Sequence, residues 1–120
     1  VAIEWSDDIL LAQLTDEPAL SEELGLIGDQ LADAEHKPHA VLDFRGVTYV
    51  NSSNIAQLLR LRKILEEDGT DRQLRLCGVS DEVWSVLVVT GLDKVFHFAP
   101  DTMTALASLQ LDAADGDLSD

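Results

Sequence analysis

Cysteine occurs once in this sequence, at Cys77, so no internal disulfide can staple the chain and no paired-cysteine redox or zinc framework is available. Cys77 closes the apolar run that begins at Leu74, with no histidine or second thiol beside it, and reads as a small buried hydrophobe. Cations are scarce too: 8 Lys and Arg face 23 Asp and Glu, a formal charge of −15. A surface of that sign repels nucleic acid and anionic lipid, which removes non-specific polyanion binding from the candidate functions. No hydrophobic run approaches the roughly 18 residues of a membrane-spanning helix, and no secretory signal is visible. Direct membrane insertion is therefore not expected, and the cytoplasm is the expected compartment. A phosphate-cradling glycine loop is also missing, since Gly25 and Gly28 fall inside a helical pattern and Gly46 stands alone. His36, His39 and His97 lack metal-ligand spacing; His36 and His39 flank Lys37-Pro38 in an expected surface loop. No metal, no cofactor and no catalytic residue is expected.

What remains is enough for one folded domain. The 120 residues are 46% apolar, which supports a core and argues against disorder. Acid is unevenly spread: residues 1–50 carry 2 basic and 11 acidic side chains, residues 51–98 carry 6 and 7, and residues 99–120 carry 0 and 5. The nearly neutral middle is where a contact surface could sit without strong repulsion.

Hydropathy patterning gives the elements. Val1–Trp5 and Ile9–Leu14 flank the polar Ser6-Asp7-Asp8 and predict an opening hairpin. Leu20, Leu24, Ile27, Leu31 and Ala34 mark one face of a helix, although Gly25 and Gly28 each cost it about 1 kcal/mol. After Pro38, the run Ala40–Phe44 with Val47–Val50 predicts a buried strand bent at Gly46 and reaching Val50. Asn51-Ser52-Ser53-Asn54 opens a second helix with the apolar arc Ile55, Leu58, Leu59, Leu61 and Leu65, and Glu66–Gly69 ends it. Leu74–Val79 is a strand, Ser80 caps a helix from Asp81 to Thr90, and Gly91 stops that helix. Val95–Phe98 is a fifth strand, and Asp101 or Thr102 caps a last helix to about Leu109.

The order ββαβαβαβα predicts an α/β domain: a mostly parallel mixed sheet of about five strands, opened by an N-terminal hairpin, with about four helices. The domain is expected over residues 1–110, with 111–120 a disordered acidic tail. The segment Asn51–Asn54 is the most informative, because it lies where a parallel strand gives way to a helix. Free backbone N–H groups there suit an anion, and a phosphate on Ser52 or Ser53 would gain from the helix dipole. The plain alternative is that one of these serines only caps the helix. Arg60, Arg62 and Lys63 put three of eight cations within four positions of that helix, with Arg62 inside the apolar arc, either as solvated surface or as a partner contact.

The run Val41–Asn54 (VLDFRGVTYVNSSN), the Leu-rich helix after it, Leu74–Ser80 (LRLCGVS) and Thr90–Phe96 (TGLDKVF) resemble the STAS family, the sulfate-transporter and anti-sigma-factor-antagonist domains. The resemblance covers about residues 40 to 98. It implies a single non-catalytic STAS-type domain that binds an anti-sigma factor acting also as a serine protein kinase. By position, Ser52 matches the serine that such kinases phosphorylate, and Asn51, Ser52, Ser53, Asn54, Ile55, Arg60 and Arg62 become the implied partner-binding residues. Asn51 and Asn54 stand where bacterial members usually carry Asp and Gly. STAS scaffolds and transporter-associated subunits, which work without phosphorylation, are the alternative within the family.

Rival classes fit less well. A response-regulator receiver would use Asp7, Asp8, Asp43 and Lys94, but its acidic pair leads directly into a helix, whereas Asp7-Asp8 is followed by the strand-like Ile9–Leu14. An acyl carrier is a helical bundle, which five strand-like runs oppose. A Ser-His-Asp hydrolase would need a glycine elbow, and Ser52 lies between Asn51 and Asn54. No feature of the sequence sets an oligomeric state.

Overall fold

The computed structural model describes residues 2–6, 8–67 and 72–109. The acidic tail expected over 111–120 lies outside the described residues. Strand β1 (Ala2–Ser6) pairs antiparallel with β2 (Ile9–Thr15), with Trp5 opposite Leu10 and Ile3 opposite Ala12. Helix α1 (Ala19–Asp33) leads to β3 (His39–Gly46), α2 (Ser52–Glu66) to β4 (Leu74–Cys77), and α3 (Asp81–Val89) to β5 (His97–Ala99). Residues 102–109 are helical and form α4. The sheet order is β1-β2-β3-β4-β5, every pair after the first being parallel. The predicted fold class and element order therefore hold.

Right-handed crossovers that step the same way along a sheet put their helices on one face. Accordingly Leu10, Ala12 and Leu14 of β2, Leu42 and Phe44 of β3, and Leu76 of β4 meet Leu24 and Ile27 of α1, Leu58 and Leu61 of α2, and Val83 and Leu87 of α3 in one buried core. Alternate strand residues point the other way, where Val41 and Cys77 pack beneath Ala105 and Leu109 of α4. Gly28 lies where α2 crosses α1; a Cβ there would come 2.7 Å from Arg60 Nη1 and 3.5 Å from Leu61 Cδ2. The helix cost of that glycine thus goes with a close helix–helix approach. Among the described residues, no helix is long and apolar enough to cross a membrane.

Five expectations change. Strand β3 stops at Gly46 rather than running to Val50, because Val47 N–H turns back to Phe44 O at 2.9 Å and Thr48 N–H is taken by Asp16. Tyr49, expected in a buried strand, is consequently 62% exposed. Strand β4 ends at Cys77 rather than Val79, since Gly78 is left-handed at φ +67°. The fifth strand begins at His97 instead of Val95: Gly91 at φ +78° leads into a 3-10 turn, Leu92–Lys94, and the amides of Val95 and Phe96 bond back to Leu92 O. His39 opens β3 instead of lying in a surface loop, with its Nδ1 accepting Gln73 N–H at 2.9 Å. In α2 the buried stripe takes in Ile64 and leaves Leu59 exposed.

Candidate functional site

Because β2, β3, β4 and β5 are parallel, their C-terminal ends and the N-termini of all four helices share one edge of the sheet. At its centre α2 begins. Asn51 has extended backbone angles and is the N-cap; its Oδ1 accepts Asn54 N–H at 2.9 Å, while Asn54 Oδ1 accepts Asn51 N–H at 3.0 Å. This reciprocal box settles the capping question left open by the sequence: the asparagines cap, not the serines. Asn54 is fully buried, whereas Ser52 and Ser53 occupy the first two helical positions and are exposed. Helix geometry gives the N–H groups of those two residues no partner within α2, whose first hydrogen bond back is Ile55 N–H to Asn51 O at 3.1 Å. No acidic residue stands in that first turn. A hydroxyl is thus presented at the positive end of a 15-residue helix.

Carboxylates of the neighbouring connection fasten this turn. Asp16 accepts Thr48 N–H at 2.7 Å through Oδ1 and the Thr48 hydroxyl at 2.8 Å through Oδ2. The Thr48 amide, then its hydroxyl, hold the Asp16 carboxyl below its ordinary 3.8. Glu17 accepts both the Ser21 hydroxyl and, at 2.6 Å, Ser21 N–H. These two bonds, with smaller contributions from Asn54 and Asn51, lower its pKa. Asn54 Nδ2 reaches Ser21 Oγ at 3.5 Å, and Gln57 Nε2 donates to Ser21 O at 2.9 Å. The starts of α1 and α2 are therefore laced together, with Asn54 at the knot.

Along the same edge, buried Asp43 grips the exposed Arg45. Its Oδ1 accepts Arg45 N–H at 3.0 Å, and its Oδ2 accepts Arg45 Nη2–H at 2.9 Å. That pairing raises the Arg45 pKa. Asp101 caps α4, accepting Thr104 N–H at 2.7 Å, which lowers its own pKa. Burial pushes the Cys77 thiol up, in keeping with a packed side chain 3.6 Å from Thr102 Oγ1.

The structure brings Asn51, Ser52, Ser53, Asn54 and Ile55 together, with Ile55 half-buried against the main core. Arg60 lies further along α2, its Nη2 3.6 Å from Asp29 of α1. Arg62, ten residues and about 15 Å along the helix from Ser52, pairs with Glu66 at 3.0 Å near the opposite edge. Tyr49, Asp16, Glu17 and Ser21 belong to the site and were not singled out by the sequence. Asp16 and Thr48 are 32 positions apart, and only the parallel pairing of β2 with β3 brings them together.

Comparison with known proteins places this architecture. The STAS domain model matches residues 18–105. An anti-sigma-factor antagonist (STAS) domain protein from Planctomyces limnophilus superposes with a TM-score of 0.77 at 22% identity, covering 91% of this chain and 97% of its own. A serine-to-glutamate variant of RsbS from Moorella thermoacetica gives 0.77 at 19% identity, over 95% and 97%. The STAS domain of a SulP transporter from Vibrio cholerae gives 0.67 at 13%, over 92% and 88%. No curated protein sequence matches the chain.

Proposed function

The chain belongs to the STAS domain family, and from that membership we propose that it is a regulatory protein-binding module of the anti-sigma factor antagonist kind, switched at Ser52. One observation carries the reading: Asn51 and Asn54 do the capping, so the exposed Ser52 hydroxyl and the helix-start N–H groups beside it are left available for a partner or a phosphate. The partner is an anti-sigma factor that is also a serine kinase, docking on residues 51–55 and the face of α2 that carries Arg60. The chain's own part is contact, and the chemistry of transfer belongs to the kinase.

A phosphate on Ser52 brings a charge of about −1.5 to −2 to the helix start. The helix dipole stabilises it there by about 0.3–1 kcal/mol, so the domain tolerates the modification. An interface does not, because the group is strongly hydrated and joins an edge already carrying Asp16, Glu17 and Asp101. The unmodified chain binds and the phosphorylated chain lets go.

A second reading is that of a constitutive scaffold or transporter-associated subunit. The uncharged Asn51 favours it, as does the common fold with a SulP transporter's STAS domain. Parallel pull-downs with the native chain and Ser52→Asp separate the two. A kinase retained by the native chain and lost with Ser52→Asp supports the switch; the same transporter or scaffold subunits on both baits, with no kinase, supports the second reading.

A further inference from the structure

The sheet has two outer strands, β1 on one flank and β5 on the other, and among the described residues no strand lies beyond either. An open flank presents unpaired backbone N–H and C=O groups, a ready template for another strand. Charge separates the two. Strand β1 carries Glu4 and belongs to the part of the chain, residues 1–50, with 11 acidic and 2 basic side chains. Strand β5 holds no Asp, Glu, Lys or Arg. Residues 83–100, which form most of α3, the 3-10 turn and β5, hold one acid, Asp93, and one base, Lys94, whereas the rest of the chain holds 22 acids and 7 bases.

The β5 flank is also apolar. Phe98 lies in register with Leu76, so it points to the face that carries α3. Trp84 stands edge-on to Phe98, with ring centroids 5.0 Å apart and planes at 86°. Val88 follows Trp84 by one turn on the same side of α3, and the two are 46% and 40% exposed. Trp84, Val88 and Phe98 thus line the flank, with the β5 backbone beside them. Pro100, which has no N–H, limits the open ladder to three residues.

A molecule of formal charge −15 repels its own kind over most of its surface. The β5 flank is where that repulsion is least and where apolar side chains and a strand backbone are exposed together. We propose that a second copy of this chain docks there, β5 pairing antiparallel with its counterpart about a two-fold axis and joining two five-stranded sheets into one. Pairing centred on Phe98 sets the two Phe98 rings opposite each other on the α3 face, between the two Trp84 side chains. With three residues per strand the contact is small, so the dimer is weak. It does not depend on the function proposed for the Ser52 edge.

Sedimentation equilibrium of the native chain in about 20 mM and about 500 mM NaCl tests the assignment. A monomer–dimer equilibrium is expected, with a dissociation constant on the order of 100 μM at the higher salt. At the lower salt it should be about tenfold weaker, because salt screens the net charge and leaves the apolar contact. Val88→Lys reduces the net negative charge yet places an ammonium in the contact, and should weaken the dimer about tenfold. Trp5→Lys on β1 should leave it within about twofold. Dilution of the native chain should shift the amides of Trp84, Val88 and residues 97–99, which decides the matter even where Val88→Lys does not fold. A monomer at about 1 mM in both salts, or association that weakens with salt, would overturn the proposal. So would dilution shifts confined to other residues, a folded Val88→Lys that dimerises like the native chain, or loss of the dimer with a folded Trp5→Lys.

Discussion

Asn51 and Asn54 each accept the other's backbone N–H, at 2.9 and 3.0 Å, and in doing so free the two serines between them. The asparagines are therefore structural and the serines are not. Asn51→Ala is expected to cost about 1 kcal/mol as a lost cap. Asn54→Ala should cost about 1–3 kcal/mol, since it leaves a polar group unpaired inside the domain. Ser52→Ala and Ser53→Ala should stay within about 0.5 kcal/mol of the native chain. Urea unfolding of the four variants checks this ordering; a Ser52→Ala loss equal to that of Asn51→Ala would return the serine to a capping role.

The Asp16 grip on Thr48 makes the turn sensitive to acid. A carboxyl whose pKa is depressed on folding contributes stability above its unfolded value and loses it as pH falls through the lower folded value. Asp16 lies below its ordinary 3.8 because of the Thr48 amide and hydroxyl. Asp16→Asn should thus be less stable than the native chain at neutral pH, with the gap closing below pH 3.8. Unfolding midpoints measured across that range test it, and a gap that does not change with pH would mean that the Asp16 charge is not what holds the loop.

Two glycines with positive φ separate backbone strain from crowding. Gly91, at φ +78°, has no atom of the described residues within 4 Å of where a Cβ would stand, so Gly91→Ala should cost only the left-handed conformation, about 1–2 kcal/mol. Gly78, at φ +67°, would place its Cβ 2.4 Å from Arg45 Cγ and 3.1 Å from Asp43 Oδ1. Gly78→Ala should destabilise more and loosen the Asp43–Arg45 pair. Thermal melts rank the two, and equal losses would show that Arg45 moves aside freely.

Charge reversal at Arg60 should weaken partner binding more than reversal at Lys94, which lies in the 3-10 turn before β5. Titration calorimetry with the captured partner distinguishes them. Equal effects would count against the α2 face.

Much of this was legible in the chain. The strand–helix alternation, the Ser80 cap of α3, confirmed by Val83 N–H to Ser80 Oγ at 3.2 Å, and the stop at Gly91 were all local signals. What escaped was decided by partners distant in sequence. Val47, Tyr49 and Val50 suit a strand by propensity, yet Asp16 removes the Thr48 amide from the ladder. His39 looked like loop until β4 placed Gln73 beside it. Four residues that each favour caps gave no means of ranking Asn51 over the serines until the reciprocal bonds were seen.

The strand order has a further consequence. In open α/β sheets, nucleotides and coenzymes settle in the crevice where strand order reverses and neighbouring connections leave on opposite faces. Here β2, β3, β4 and β5 lie side by side in chain order, and α1, α2 and α3 all leave on one face. Among the described strands there is no reversal, so that kind of crevice never opens beside Ser52. Beside Ser52 the edge is therefore a rim and not a crevice.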